Sequence, residues 1–313
     1  MFFYKMNVRK LIILCLIVQI LFSCKKEPTS STNNTSGVTG DYFGETPPGT
    51  TPVLFNPAIF GNTAAYLYTG PVFSPDGIEM HWSVFTETDV VTRYTKRSSN
   101  GQWSSAQTVP YDIGGRTRFP TFSPDGARLF FSSSVPVPDF NSTQKENIWF
   151  VEKVGSNWVN PQPLDYTVNR YELHWPVSIA SSNNLYYSAV IPPNENFSIC
   201  ISHFEGNQYT SPVSLGDSIN SRDSNVNEHT PFISPDESYI IFSVIDDRIS
   251  GFTDLYISFK KPDGSWTKAK NMQSLNTYYH ENCPNVTPDG RYLFYIGTDG
   301  PLWVDASVIE LYR

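Results

Sequence analysis

The sequence predicts an all-β chain assembled from like units of four antiparallel strands. Three observations carry that prediction. The run Phe73-Ser74-Pro75-Asp76-Gly77 recurs as Phe122-Ser123-Pro124-Asp125-Gly126. It returns altered as Ile233-Ser234-Pro235-Asp236-Glu237 and Val286-Thr287-Pro288-Asp289-Gly290. Each copy stands between short runs rich in aromatic and β-branched residues, the composition of strands. No stretch of the repeated region carries helical periodicity, and self-similarity at this period marks an array of one supersecondary unit.

Each unit opens with a proline and an apolar or Ser/Thr pair: Pro71-Val72-Phe73, Pro120-Thr121-Phe122, Pro231-Phe232-Ile233, Pro284-Asn285-Val286. The Ser-Pro-Asp-Gly turn follows. Its proline presets φ for the first central turn position and its glycine accepts positive φ, which makes a tight hairpin. The second strands are Met80–Val84, Leu129–Phe131, Leu185–Tyr187, Tyr239–Phe242 and Tyr292–Tyr295. The third strands lie at Arg93–Thr95, Ile148–Val151, Ile199–Ile201, Leu255–Ile257 and Leu302–Val304. In four units a second Gly-containing turn with a following aromatic comes next, at Trp103, Trp158, Tyr209 and Trp266, and a fourth strand ends the unit. The third unit lacks Pro-Asp-Gly and has Ala180-Ser181-Ser182-Asn183 in its place. With Ala180 as its register mark, the unit spacings are 49, 56, 55 and 53 residues.

Four-stranded units of about 50 residues describe a β-propeller. The fifth unit runs out at Arg313 with three strands, and Pro52-Val53-Leu54-Phe55 at the other end looks like a fourth strand without its predecessors. Joining the two partial units leaves no open sheet edge. The expected fold is therefore a five-bladed propeller over residues 46–313, its last blade closed by an N-terminal strand. Six blades would need a further unit, and no stretch of that length is spare.

Upstream of the repeats, Lys5, Arg9 and Lys10 precede the apolar run Leu11–Phe22, which ends in Leu21-Phe22-Ser23-Cys24. The run is short for a membrane span. The combination resembles a bacterial lipoprotein signal, residues 1–23, in which Cys24 would carry the lipid; an uncleaved anchor with a chance cysteine is the alternative. Residues 24–45 are expected as a tether, because their Ser, Thr, Asn and Gly cannot bury a core. Loss of the signal removes three positive charges and takes the net charge from −8 to −11. That balance argues against nucleic acid and anionic lipid surfaces as partners. Beyond Cys15 and Cys24 only Cys200 and Cys283 remain, without metal-ligand spacing. No cofactor is expected.

The repeat resembles the periplasmic TolB-type, WD40-like propeller family over nearly all of residues 46–313. The residues that carry the resemblance are Arg248-Ile249-Ser250-Gly251-Phe252-Thr253-Asp254-Leu255-Tyr256, Asp263-Gly264-Ser265-Trp266 and Thr287-Pro288-Asp289-Gly290. Gly44–Phe55 and Trp303-Val304-Asp305 are similar to the borders of such domains in lipoproteins of Bacteroidetes-type bacteria. The resemblance implies a monomer in the cell envelope, held to the membrane through lipid alone, with a protein or a glycan as partner. It implies little about chemistry, since the family hosts scaffolds, assembly factors and enzymes.

Strand parity sorts the loops. First and third connections lie at one end of the ring and are short and uniform. The second connections, Ser134–Asn147, Val190–Phe197 and Ile245–Thr253, share the other end with the blade-to-blade loops. Long loops on a rigid frame are where binding sits. Before the inner-strand prolines stand Arg116 and Arg118, Glu172, His174 and Trp175, Glu228 and His229, and His280 and Glu281, with Tyr66 and Tyr68 in the first unit. Three readings stay open. These side chains cap backbone and pair with neighbouring blades. Or they line a pocket for a polar ligand, the arginines taking carboxylate or phosphate and Trp175 stacking on a sugar. Or they catalyse, with paired carboxylates resembling arabinanase-type glycosidases or with metal on His174, His229 and His280; the first two units, unlike that family, offer no acid here. His81 and His203 are expected to be packed or edge residues.

Overall fold

A computed structural model describes residues 38–137, 146–171, 175–193, 196–248 and 252–313. The signal and most of the expected tether, with Cys24, lie outside them. The strands run in chain order as follows. β1 is Val53–Leu54. β2 to β5 are Val72–Phe73, Glu79–Phe85, Val90–Lys96 and Gln107–Thr108. β6 to β9 are Arg118–Phe122, Arg128–Ser133, Asn147–Val154 and Asn157–Pro163. β10 to β12 are Ser178–Ile179, Leu185–Val190 and Phe197–Ser202; β13 and β14, Phe204–Glu205 and Gln208–Tyr209, make a small hairpin before β15, Val213–Ser214. β16 to β19 are Val226–Ile233, Tyr239–Asp246, Thr253–Phe259 and Lys270–Asn271, and β20 to β22 are Asn282–Val286, Tyr292–Gly297 and Gly300–Asp305.

These strands form five four-stranded antiparallel sheets, the blades of a propeller. The fifth has the order β1-β22-β21-β20, so Val53 pairs with Trp303 and Leu54 with Leu302. The N-terminal strand closes the ring, as the leftover strand at each end of the repeat array predicts. Among the described residues no helix is long and apolar enough to cross a membrane.

Both faces of every blade are buried, so the second strands read as continuous apolar runs. Their side chains alternate between seams. Leu129 and Phe131 pack towards blade 1, against Tyr111 and Trp158, whereas Phe130 packs towards blade 3, against Ile179 and Tyr187. The aromatic of each second turn, Trp103, Trp158, Tyr209 or Trp266, is buried in a seam.

The Ser-x-Asp signature explains the uniform turns. In the first copy Ser74 Oγ donates to Asp76 Oδ1 (2.5 Å) and accepts from the Glu79 amide (2.9 Å), while Asp76 Oδ1 accepts from the Ile78 amide (3.3 Å). Ser123, Ser234 and Thr287 accept the equivalent amide in their own turns. Gly77, Gly126 and Gly290 take the positive φ, and Glu237 (φ 59) and Asn183 (φ 67) take it where glycine is absent. In the third blade Ala180 stands at the serine position rather than the proline position. Its amide donates to Asn184 O (3.1 Å), closing a turn one residue shorter than Ser74 to Glu79 O. The register mark therefore moves by one residue from the expected spacing.

Ordered packing also starts earlier than residue 46. From Val38 the chain lies across the turn end of the closing seam. Phe43 stacks on Trp103 (4.4 Å), Tyr42 sits edge-on to Phe73 and Tyr292, and the Tyr42 hydroxyl donates to Asp289 (2.9 Å). Trp103 Nε1 donates to Gly40 O (3.0 Å) and Arg97 pairs with Asp41 (2.6 Å). Polar composition concealed this segment because its apolar content is concentrated in two adjacent aromatic residues.

Candidate functional site

Contacts at the loop end agree with strand parity. Arg116 Nε meets Asp89 (3.2 Å), Arg248 meets Asp223 (2.9 Å), and Thr253 Oγ1 meets His280 Nδ1 (3.3 Å). Each joins a second connection to a blade-to-blade loop.

The inner strands reach this end through a repeated irregularity. Phe119, Thr230 and Cys283, each directly before the inner-strand proline, have φ of 57, 49 and 51°. The pairing register shifts at each of them. Positive φ at a non-glycine residue is strained, and a bulge re-aims the residue ahead of it. Here that residue is Arg118, His229 or Asn282. Opposite the first two, on the second strands, stand Ser132 and Ser243.

Arg118 is nearly buried. It pairs with Glu146, donates to the Tyr68 hydroxyl (3.1 Å), and lies over the Tyr68 and Phe119 rings. Burial lowers its pKa. Phe119 stacks with Trp175 (6.5 Å), and Trp175 meets Phe197 (5.0 Å) and the edge of His229 (5.4 Å). Burial first, and the nearby His280 second, pull the His229 pKa to about 3, so its ring is neutral at physiological pH.

The two described glutamates do something different. Glu228 and Glu281 occupy the same place, third before the proline, and are 2% and 1% exposed. Glu228 Oε1 accepts from the Ser221 amide (2.8 Å), and Glu281 accepts from the Thr277 amide (3.1 Å) and hydroxyl (2.5 Å). Each carboxyl buttresses the loop that leads to its own blade. Burial raises both pKa values, that of Glu228 to about 8. His229 and His280 are not equivalent positions, being second and fourth before the proline. Glu172 and His174 lie outside the described residues, as does the Tyr66 side chain, so the His174/His229/His280 set is undescribed as a whole. Among the described residues no group of three potential metal ligands converges.

Several buried polar atoms at this end have no hydrogen-bond partner among the described residues: Arg118 Nε, both ring nitrogens of His229, Asn282 Oδ1, and the hydroxyls of Ser132 and Ser188. Buried polar groups are almost always satisfied, and a leftover set on one rung of adjacent blades fits bound water or a hydroxyl-rich ligand. The serines and Asn282 escaped sequence reasoning because neither residue type is remarkable alone; their shared offset from the proline was the available signal. His81, by contrast, is fully buried at the turn half, bonded to Tyr111 (2.9 Å) and Glu79 (3.3 Å). A cleft of about 490 Å³ lined by Tyr239, Arg291, Tyr292, Asp305 and Glu310 also lies at the turn end and shares no residue with the loop-end group.

Fold and site together define a five-bladed β-propeller whose polar and aromatic surplus lies at its loop end. The chain matches no protein-family profile and no curated protein sequence. It is similar to a solved structure assigned as TolB from Agrobacterium tumefaciens, with 17% identity and a TM-score of 0.49 over 77% of this chain and 71% of that one. It is similar also to TolB from Acinetobacter baumannii (12%, 0.46, 75% of this chain and 53% of that one) and to a glycoside hydrolase (11%, 0.48, 79% and 93%). The chain thus spans about half the length of the Acinetobacter protein. Likenesses at this level carry no functional argument, and the class stated here rests on strand topology.

Proposed function

We propose that the protein is a lipid-anchored propeller of the bacterial cell envelope that binds a protein or glycan ligand through its loop face. The observation that carries this reading is the set of unpartnered buried polar atoms at the loop end, beside the half-buried Trp175. The fold itself does not use them, and a binding face does. The Cys24 signal supports the anchor. A hydrolase using Glu228 and Glu281 would first have to free both carboxyls from the loop amides they hold.

The test pairs a glycan-binding screen with crosslinking in envelope extracts, comparing Arg116→Ala and Trp175→Ala with the turn-end change Asn100→Ala. Loop-end variants are expected to lose at least about tenfold in affinity, a 1.4 kcal/mol change, with the turn-end variant unchanged. Loss confined to the turn-end variant would refute the loop-face reading. Cys24→Ala is expected to release the protein from membranes, and retention there would refute the anchor.

A further inference from the structure

We infer that the loop end of the seam between blades 4 and 5 is a subsite for an uncharged carbohydrate; this rests on the loop-face reading above. Tyr278 and Tyr279 are 74% and 56% exposed. Their rings meet at 80° with centroids 5.8 Å apart, and Phe252 lies 4.4 Å from Tyr278. Nothing in the fold needs these rings outside the core, yet the loop that carries them is firmly held. Glu281 accepts from the Thr277 amide and hydroxyl, Tyr279 N donates to Thr277 Oγ1 (3.1 Å), and the Glu281 amide donates to Thr253 O (2.8 Å). Asn276 fixes the loop's other end through Leu255 N (2.8 Å) and O (3.0 Å). A ring presented on a rigid loop loses little side-chain freedom on binding.

Polar groups follow along the same loop. His280 Nδ1 contacts Thr253 Oγ1, and two residues further on Asn282 Oδ1 is buried without a partner. On the neighbouring blade, His229 meets the Trp175 ring and has no hydrogen-bond partner on either ring nitrogen among the described residues. A neutral imidazole has one donor and one acceptor nitrogen; with Nδ1 against Thr253, His280 keeps Nε2 for a sugar hydroxyl. Flat phenol rings suit the C–H face of a pyranose. Asp254 behind the loop, on a chain whose net charge without the signal is −11, disfavours uronic or sulfated glycans. A protein hot spot would sit in a contiguous apolar patch; of the other exposed large apolar side chains, Val154 and Val213 are on blades 2 and 3, and Val53 and Leu54 are on the outermost strand of blade 5, away from its inner strand.

The full chain without its signal is run in affinity gels containing laminarin, xylan, mannan or starch. The expectation is retardation by at least one of them, a tenfold or greater loss in the Tyr278→Ala/Tyr279→Ala double variant, and retention in Tyr278→Trp. Circular dichroism and Tm of the double variant should match the parent, since both side chains are exposed. No retardation by any of the four, or retardation indifferent to the tyrosines, overturns the subsite. Glycan binding that instead depends on Trp175 or Arg116 overturns the subsite and spares the loop-face reading. Tyrosine-dependent capture of a peptide without any glycan overturns the carbohydrate assignment.

Discussion

Glu228 shows how one buried group can make the loop end sensitive to pH. Its ordinary pKa is 4.5 and burial lifts it to about 8 in the folded protein, despite the amide of Ser221. The folded state therefore holds a proton that the unfolded state releases between those values. Stability from this group is full below about pH 4.5 and falls as pH rises towards 8. Glu281 shifts in the same direction for the same reason. Glu228→Gln keeps an oxygen for the Ser221 amide and removes the charge. Its urea midpoint at pH 9 is expected to exceed the parent's by more than about 1 kcal/mol of stability, with the two equal near pH 5. A parallel pH dependence in both proteins would show that Glu228 is ionised without penalty. Glu79 works the other way. Burial would raise its pKa, but hydrogen bonds from His81, Trp158 and Lys96 outweigh that and bring it to about 2, so its contribution is lost only in acid.

At the scale of the element, an asparagine, buried in two cases and half-buried in the third, ties each of three blades to the loop that follows it. Ile148, Ile199 and Leu255 each donate their amide to an asparagine side chain, those of Asn169, Asn220 and Asn276, which donates back to the same residue's carbonyl. The separation along the chain is 21 residues in all three. Asn220→Ala leaves the amide of Ile199 buried and unpaired, while its carbonyl still accepts from Leu215 N (3.1 Å), and is expected to cost about 1–3 kcal/mol. Thermal unfolding with hydrogen exchange at Ile199 tests this; protection unchanged at that amide would mean that water replaces the side chain. The pattern was legible as Val168-Asn169, Ile219-Asn220 and Leu275-Asn276. Asparagine in a loop reads as turn chemistry and not as a strand cap.

At the scale of the molecule, the arm from Val38 to Gly44 would set which way the ring faces if Cys24 carries lipid. Tyr42 binds Asp289 and Asp41 binds Arg97, both at the turn end. Val38, whose carbonyl accepts from Trp103 N (3.0 Å), lies at that end. From Cys24 to Val38 there are 14 residues, a reach of about 48 Å when fully extended and roughly 20 Å as a coil. With lipid on Cys24 the turn end would look towards the bilayer and the loop end away from it. A dye at Asn100→Cys is then expected to be quenched by a bilayer-bound acceptor more strongly than one at Glu87→Cys, in vesicles holding the acylated protein. Equal quenching would show that the arm does not orient the ring.

The sequence by itself determined the architecture: the blade repeat, the closing strand and the parity of the two ends. Turn and strand signals are local, and a repeated local signal specifies a closed ring once edges must be paired. It also places the Arg, Glu and His candidates on the approach to the inner strands. Tertiary structure alone decided what each side chain there does. In the sequence Glu228 and Glu281 leave backbone capping, ligand binding and catalysis open, whereas in the fold each bonds a loop amide four to seven residues back. Phe119, Thr230 and Cys283 give no sign of positive φ, since each precedes proline and proline favours extended backbone there. The aromatic arm, too, reads as tether until the seam that receives it exists. Burial and partnership are relations between blades, and no stretch of chain contains both sides of a seam.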